Sequence, residues 1–209
     1  MQWHQLLKQG HLQVDGKRYD LTHLLGSVVE FTIPPSDKYP RLAVSMRVEY
    51  TSHCVSYGPP ANGQPFDFTV LGPARRVHDH RGVERVFCFE RHRCSLQLPQ
   101  LISKLDTHTC YFTGRENWLV IENIDNEGKR SEYEVFFRLR RGDAPHTLRL
   151  VVESAYVRDA DKGKAGIPRN RRGRIKFPVM AAKVLRGEPI RDAGTGELKG
   201  GGLKCRPLK

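Results

Sequence analysis

The chain has 209 residues, 38% of them hydrophobic and 28% charged, enough for one well-formed core and too many for a mini-protein held by staples. Its longest apolar runs, among them Val86-Phe87-Cys88-Phe89 and Trp118-Leu119-Val120-Ile121, stop at four residues, whereas a spanning helix needs about 18 or more. The formal charge of +12 directs attention to anionic partners.

The N-terminus, Met1-Gln2-Trp3-His4-Gln5, has neither the basic start nor the apolar stretch of a secretory signal, so the expectation is a cytoplasmic protein with no membrane partner. Five cysteines at uneven spacing, Cys54, Cys88, Cys94, Cys110 and Cys205, suit reduced thiols better than a disulfide framework. Short segments rich in Val, Ile, Phe and Tyr predict strands over 27–33, 42–50, 66–70, 83–89, 109–113 and 118–122. Pro34-Pro35, Gly58-Pro59-Pro60, Gly72-Pro73 and Asn126-Glu127-Gly128 separate them. Ser95, Leu98, Leu101, Ile102 and Leu105 at helical spacing predict one helix over about 99–105.

Two longer strands, 132–140 and 147–157, flank the loop Arg141-Gly142-Asp143-Ala144-Pro145-His146 and read as a hairpin. If the turn closes symmetrically, Arg138 opposes Arg149 and Glu134 opposes Glu153. One face then carries Tyr133, Val135, Phe137, Leu139, Leu148, Leu150, Val152 and Ser154 and belongs to the core. The other carries Glu132, Glu134, Phe136, Arg138, Arg140, Arg149, Val151 and Glu153. Like charges across a ladder are unfavourable, so this face is read either as a solvated surface with diagonal salt bridges or as one that grips phosphate through arginine.

Residues 158–209 hold 15 basic and 5 acidic residues, leaving 20 against 18 for residues 1–157. The expected division is a mostly β core over 1–157 and a basic arm over 158–209. The arm includes a hinge over 159–170, a short helix near 178–186 framed by Pro178 and Gly187, and a disordered end over 194–209. Arg169, Arg171, Arg172, Arg174 and Lys176 lie within eight positions free of acid. Such a run attracts polyanions by counterion release and makes these five the expected nucleic-acid-binding residues. A solvated tail is the plain alternative.

The block from Arg85 to Tyr156 carries a recognisable order: Arg85-Val86-Phe87-Cys88-Phe89-Glu90-Arg91-His92-Arg93, Ser95-Leu96-Gln97-Leu98-Pro99, Tyr111-Phe112-Thr113, Tyr133-Glu134-Val135-Phe136-Phe137 and Val152-Glu153-Ser154-Ala155-Tyr156. It resembles the helix-then-antiparallel-sheet layout of the barnase, colicin and RelE-type toxin nucleases, particularly the phage-associated members, over about 70 residues of pattern. The resemblance implies metal-free RNA cleavage, in which a base activates the ribose 2′-hydroxyl, a cation stabilises the crowded phosphate and an acid protonates the leaving oxygen.

It carries no catalytic signature over, so the assignment comes from residue chemistry. Histidine titrates near neutrality, and His92 lies between Arg91 and Arg93, while His146 ends the hairpin loop. The expected catalytic set is His92 and His146, Glu153 as base, and Arg91, Arg138 and Arg149 on the phosphate. His53 closes a strand and is as well explained as a satisfied buried histidine. His78-Asp79-His80 together with Cys88, His92 and Cys94 supply zinc ligand types but lack the close pairs of a zinc site, and no cofactor is expected.

The fold class predicted is α+β, mainly antiparallel sheet with one or two short helices and a basic C-terminal arm. The leading function is nucleic-acid binding, RNA before DNA, with metal-independent endoribonuclease activity and room for an inhibitory protein partner. The alternatives are a non-catalytic RNA- or DNA-binding module and a phage or mobile-element adaptor between proteins.

Overall fold

The computed structural model describes residues 1–60, 62–113, 118–126, 129–157, 173–191 and 198–199. Its N-terminal helix α1 (Trp3–Gln9) opens on a reciprocal cap between Gln2 and Gln5 and closes on Gly10 in the left-handed region. Trp3 and Leu6 point into the core, and the Trp3 indole N–H donates to Tyr50 O at 3.1 Å. The hairpin β1 (His11–Val14) and β2 (Lys17–Asp20) turns at Asp15-Gly16, both at positive φ, the Asp-Gly preference of a two-residue hairpin.

Strands β3 (Ser27–Ile33) and β4 (Leu42–Tyr50) follow, with the alternating burial that their sequence shows. A small sheet is formed by β5 (Ser56–Tyr57), β6 (Arg76–His78) and β7 (Glu84–Phe87), with β7 in the middle. Between β5 and β6, the strand predicted over 66–70 is instead a helical turn, α2 (Phe68–Leu71). The Asp67 side chain accepts from Thr69 N at 2.9 Å, and this cap outweighs the β propensity of the run. Two short helices, α3 (Phe89–Ser95) and α4 (Leu98–Ser103), come next.

The main sheet is completed by β8 (Thr109–Phe112), β9 (Trp118–Asn126), β10 (Lys129–Arg141), β11 (Thr147–Val157) and β12 (Arg174–Lys176). Its order is β12-β8-β9-β10-β11-β4-β3, antiparallel except where β11 and β4 run parallel. The α+β architecture dominated by antiparallel sheet is therefore present, with five α-helices among the described residues where one or two were predicted.

The hairpin of β10 and β11 forms in a different register from the symmetric one. Arg140 faces Arg149, Arg138 faces Val151 and Glu134 faces Tyr156. Phe136 pairs with Ser154 and Phe137 with Val152, so Glu153 is a bulged residue with no opposite number. An extra residue in one strand flips the side-chain alternation beyond it: Val152 and Ala155 are both buried, while Ser154 leaves the core face. Neither expected like-charge pair, Arg138 with Arg149 or Glu134 with Glu153, forms.

The basic segment begins as part of the body. Strand β12 adds an edge to the main sheet by pairing with β8, and α5 (Phe177–Arg186) follows it directly. Phe177, Met180 and Ala181 are fully buried in the same core as Val135, Phe137 and Val152. The Phe177 ring lies 5.5 Å from Phe31 and 6.3 Å from Phe137. Residues 174–186 thus complete the fold rather than hang from it. The hinge over 159–170 and nearly all of 194–209 lie outside the described residues, as do Arg169, Arg171 and Arg172. Strands β13 (Ile190–Arg191) and β14 (Leu198–Lys199) pair antiparallel beyond α5. Among the described residues, no helix is long and apolar enough to cross a membrane.

Candidate anion site at the carboxyl ends of β4 and β11

Because β4 and β11 run parallel, both deliver their carboxyl ends to one edge of the sheet. The chain leaving β4 makes a single 3-10 turn over Ser52–Cys54. Thr51 Oγ1 ties it to β11 by donating to Glu153 O at 2.7 Å while accepting from His53 N at 3.2 Å. His53 is thereby held at the surface beside the bulge.

Two arginines converge behind it. Arg85, on the central strand of the small sheet, is only 8% exposed; its Nε donates to Ser56 Oγ at 2.9 Å and its Nη2 to Ser56 O at 3.2 Å. Arg91, on α3, donates through Nη1 to the same Ser56 O at 2.8 Å and to His53 O at 3.0 Å. The Arg91 guanidinium also stands 4.9 Å from the centre of the Tyr156 ring, which stacks on Phe136 at 5.6 Å. Gly58 permits this packing, because a Cβ there would sit 2.8 Å from Arg85 Nη1.

The carboxylate of the cluster is Asp79, 4% exposed in the tight turn between β6 and β7. Its Oδ1 accepts from Arg81 N at 2.8 Å and Val83 N at 3.0 Å, while Oδ2 lies 3.5 Å from His53 Nε2. Burial works to raise the Asp79 pKa, but the two amides and His53 hold it below the usual carboxylate value. For His53, burial and then the Arg85 charge outweigh Asp79 and lower the pKa, leaving a neutral ring at pH 7. At 3.5 Å the approach of Asp79 to His53 is a charge contact rather than a hydrogen bond, and Nε2 has no other partner among the described residues; a ring that carries its proton on Nε2, towards the carboxylate, has Nδ1 as its base. The Arg85 guanidinium is itself pushed down to about 10, first by burial and then by Arg91. The two guanidiniums crowd each other on Ser56 O, and an anion beside them would relieve that cost.

The expected site residues separate into three groups. Arg91 is in the cluster, and Arg138 and Glu153 border it as an ion pair with each other, so Glu153 is engaged at the bulge. His92 turns away: its Nε2 donates to Asp20 O at 2.7 Å and its ring packs against Tyr19, His23 and Phe87. Adjacent residues on a helix point about 100° apart, which is why Arg91 and His92 serve different surfaces. Arg149 and His146 lie at the start of β11, with Arg149 held by Glu49 at 2.7 Å. At about 3.3 Å per residue, Glu153 lies roughly 23 Å from His146 and roughly 13 Å from Arg149 along the strand, and Arg149 is spent on Glu49, so neither serves the cluster.

Arg174 and Lys176 are exposed on the edge strand β12. His53, Asp79 and Arg85 are the residues that sequence reasoning did not assign. One signal for Arg85 existed, an arginine among inward-facing valine and phenylalanine in a short strand. Asp79 stood out only within His78-Asp79-His80, weighed as a zinc element, and its neighbour in space, His53, is 26 positions away. Among the described residues, no group of three or more His, Cys, Asp or Glu side chains gathers as metal ligands, and Cys54, Cys88, Cys94 and Cys110 are free.

Comparison with known families gives one match: the model of the YjaZ family covers residues 11–185. The chain belongs to that family. No curated protein and no solved structure matches it.

Proposed function

We propose that this YjaZ-family chain binds single-stranded nucleic acid, RNA before DNA, and cleaves the RNA phosphodiester at the cluster of His53, Asp79, Arg85 and Arg91. The observation that carries this reading is the convergence of two half-spent guanidiniums on Ser56 O beside an imidazole that stands 3.5 Å from a buried carboxylate. Arg85 Nη1, Arg91 Nε and Arg91 Nη2 have no acceptor among the described residues, and guanidinium N–H pairs match phosphate oxygens.

In the step proposed, His53 Nδ1 takes the proton of the ribose 2′-hydroxyl as that oxygen attacks phosphorus. The P–O5′ bond breaks, water protonates the departing O5′, and a 2′,3′-cyclic phosphate remains. Arg85 and Arg91 stabilise the negative charge that grows on the phosphorane oxygens. The stacked pair Phe136 and Tyr156 offers a flat face to a base. The net charge of +12 and the likeness of residues 85–156 to the toxin nucleases support the same reading, and the cytoplasm is the compartment in which it operates. A non-catalytic binding module is the second reading. It is favoured by Arg91 spending two bonds on the backbone of His53 and Ser56, as a structural clamp does.

The test is incubation of the full chain with end-labelled single-stranded RNA in the presence of EDTA. Fragments ending in 2′,3′-cyclic phosphate are expected from the wild type, with the rate reduced 100-fold or more, as for loss of a general base, in Asp79→Asn. A shifted but uncut band selects the second reading. RNA neither cut nor shifted at low salt would overturn both.

A further inference from the structure

We infer that the groove between β2 and α3 is a second nucleic-acid subsite, one that stacks a base on Tyr19 and Phe89 and holds its phosphates with Lys17 and Arg18. The inference rests on the proposed function for its ligand class and on different residues for its evidence. The groove encloses about 730 Å³ and runs along the flank of α3 that carries His92.

Two large apolar side chains are left in water at its rim, Phe89 at 40% and Leu96 at 52% exposure. The rings are arranged as a layered run. Lys17 Nζ lies 5.5 Å from the centre of the Tyr19 ring, Tyr19 and Phe89 are 5.2 Å apart at 37°, and the Arg75 guanidinium lies 4.8 Å from the centre of Phe89. Lys17 is exposed, so it can yield its place over Tyr19 to a base and turn its ammonium to the adjoining phosphate, the combination of π-face and cation that holds single strands.

The local charge agrees. Lys17, Arg18 and Arg93 line the groove against Asp20 and Glu90, and the Asp20 carboxylate is already taken up by Thr22, through N at 3.1 Å and Oγ1 at 2.8 Å. The floor is fixed as well. His92 Nε2–H is spent on Asp20 O, and Ser95 Oγ donates to His92 O at 2.7 Å while accepting from His23 Nε2 at 2.8 Å. A floor already held by hydrogen bonds lets a ligand bind without ordering it first. His92 therefore acts as a positioning residue for the groove, which accounts for its place among cations without a role in proton transfer.

The probe is a single-stranded 2′-O-methyl oligoribonucleotide carrying 4-thiouridine, which the proposed chemistry cannot cut because it lacks a 2′-hydroxyl proton. Photocross-linking to the full chain should label peptides containing Tyr19 or Phe89, and affinity should fall about tenfold in Phe89→Ala and in Lys17→Glu. Lys17 is exposed, so the second variant reports even if the first loses stability. Cross-links confined to other surfaces, or affinities within twofold of wild type in both variants, would overturn the subsite. Failure of the cleavage reading is separable, since it would leave these cross-links in place while unmodified RNA stayed intact.

Discussion

At the scale of single residues, the cluster leaves little room. A methyl group at position 58 would come within 2.8 Å of Arg85 Nη1, and the guanidinium cannot retreat without giving up its bonds to Ser56. Gly58→Ala is expected to weaken RNA binding about tenfold while costing about 1 to 2 kcal/mol of stability, the order of one or two lost hydrogen bonds; titration with labelled RNA and thermal melting check the two halves.

Asp79→Asn keeps an Oδ1 for the Arg81 and Val83 amides but presents an N–H to His53, so the ring must move its proton to Nδ1 and lose its base. Folding near wild type with cleavage reduced 100-fold or more is expected, and full activity would remove His53 from the step. The pH dependence has a definite sign. His53 and His23 both titrate below the ordinary histidine value, His23 at about 4 through burial and then the neighbouring His92. The unfolded chain takes up these protons first, so stability is full above the unfolded pKa of about 6.5 and is lost as pH falls from there towards 4. Melting temperatures measured across that window should decline, and less steeply in His23→Gln. Cleavage should already be at its plateau near pH 7, because its base is neutral there.

At the scale of elements, β3 and β4 were legible to the residue because a half-buried strand writes its alternation into the sequence. The register of β10 and β11 was not, since the bulge at Glu153 is set by Thr51 Oγ1, a donor about a hundred positions away. The same physics hid the site. His53, Asp79 and Arg85 come from a turn, a loop and a strand that meet only through tertiary contacts, whereas Arg91 and Glu153 stood out as charges in readable elements.

Helix α5 was legible as a helix too short to stand alone, which had to dock on the body or on a partner; the basic residues before it hid that it belongs to the core. Its Phe177, Met180 and Ala181 are fully buried. Phe177→Ala should therefore cost about 3 to 5 kcal/mol in denaturant unfolding, and a chain ending at residue 157 should not fold cooperatively. At the far end of the hairpin, Arg149→Ala breaks only an exposed pair with Glu49. It should change stability by less than about 1 kcal/mol and leave cleavage at the wild-type rate.

At the scale of the whole molecule, the parallel pairing of β4 with β11 in an otherwise antiparallel sheet brings two strand ends, a 3-10 turn and α3 to one edge. The charge excess that composition reveals then has two described places to act: the buried arginine pair, and the cationic rim of the groove on the other flank of α3. A strand crossing both would displace counterions at several phosphates, so binding should weaken steeply as salt rises from about 50 to 200 mM.

The central claim is that His53, Arg85 and Arg91 form one phosphate site. It is tested most directly by nitrogen-resolved NMR of the imidazole and guanidinium groups during titration with a nucleoside 3′-monophosphate. The His53 ring, with its proton on Nε2, and the Arg85 and Arg91 Nε–H signals are expected to shift together and saturate at one ligand concentration, while Arg149 stays still. Shifts at Arg149 without the other three, or no shift at His53 and Arg85 at saturating ligand, would contradict it.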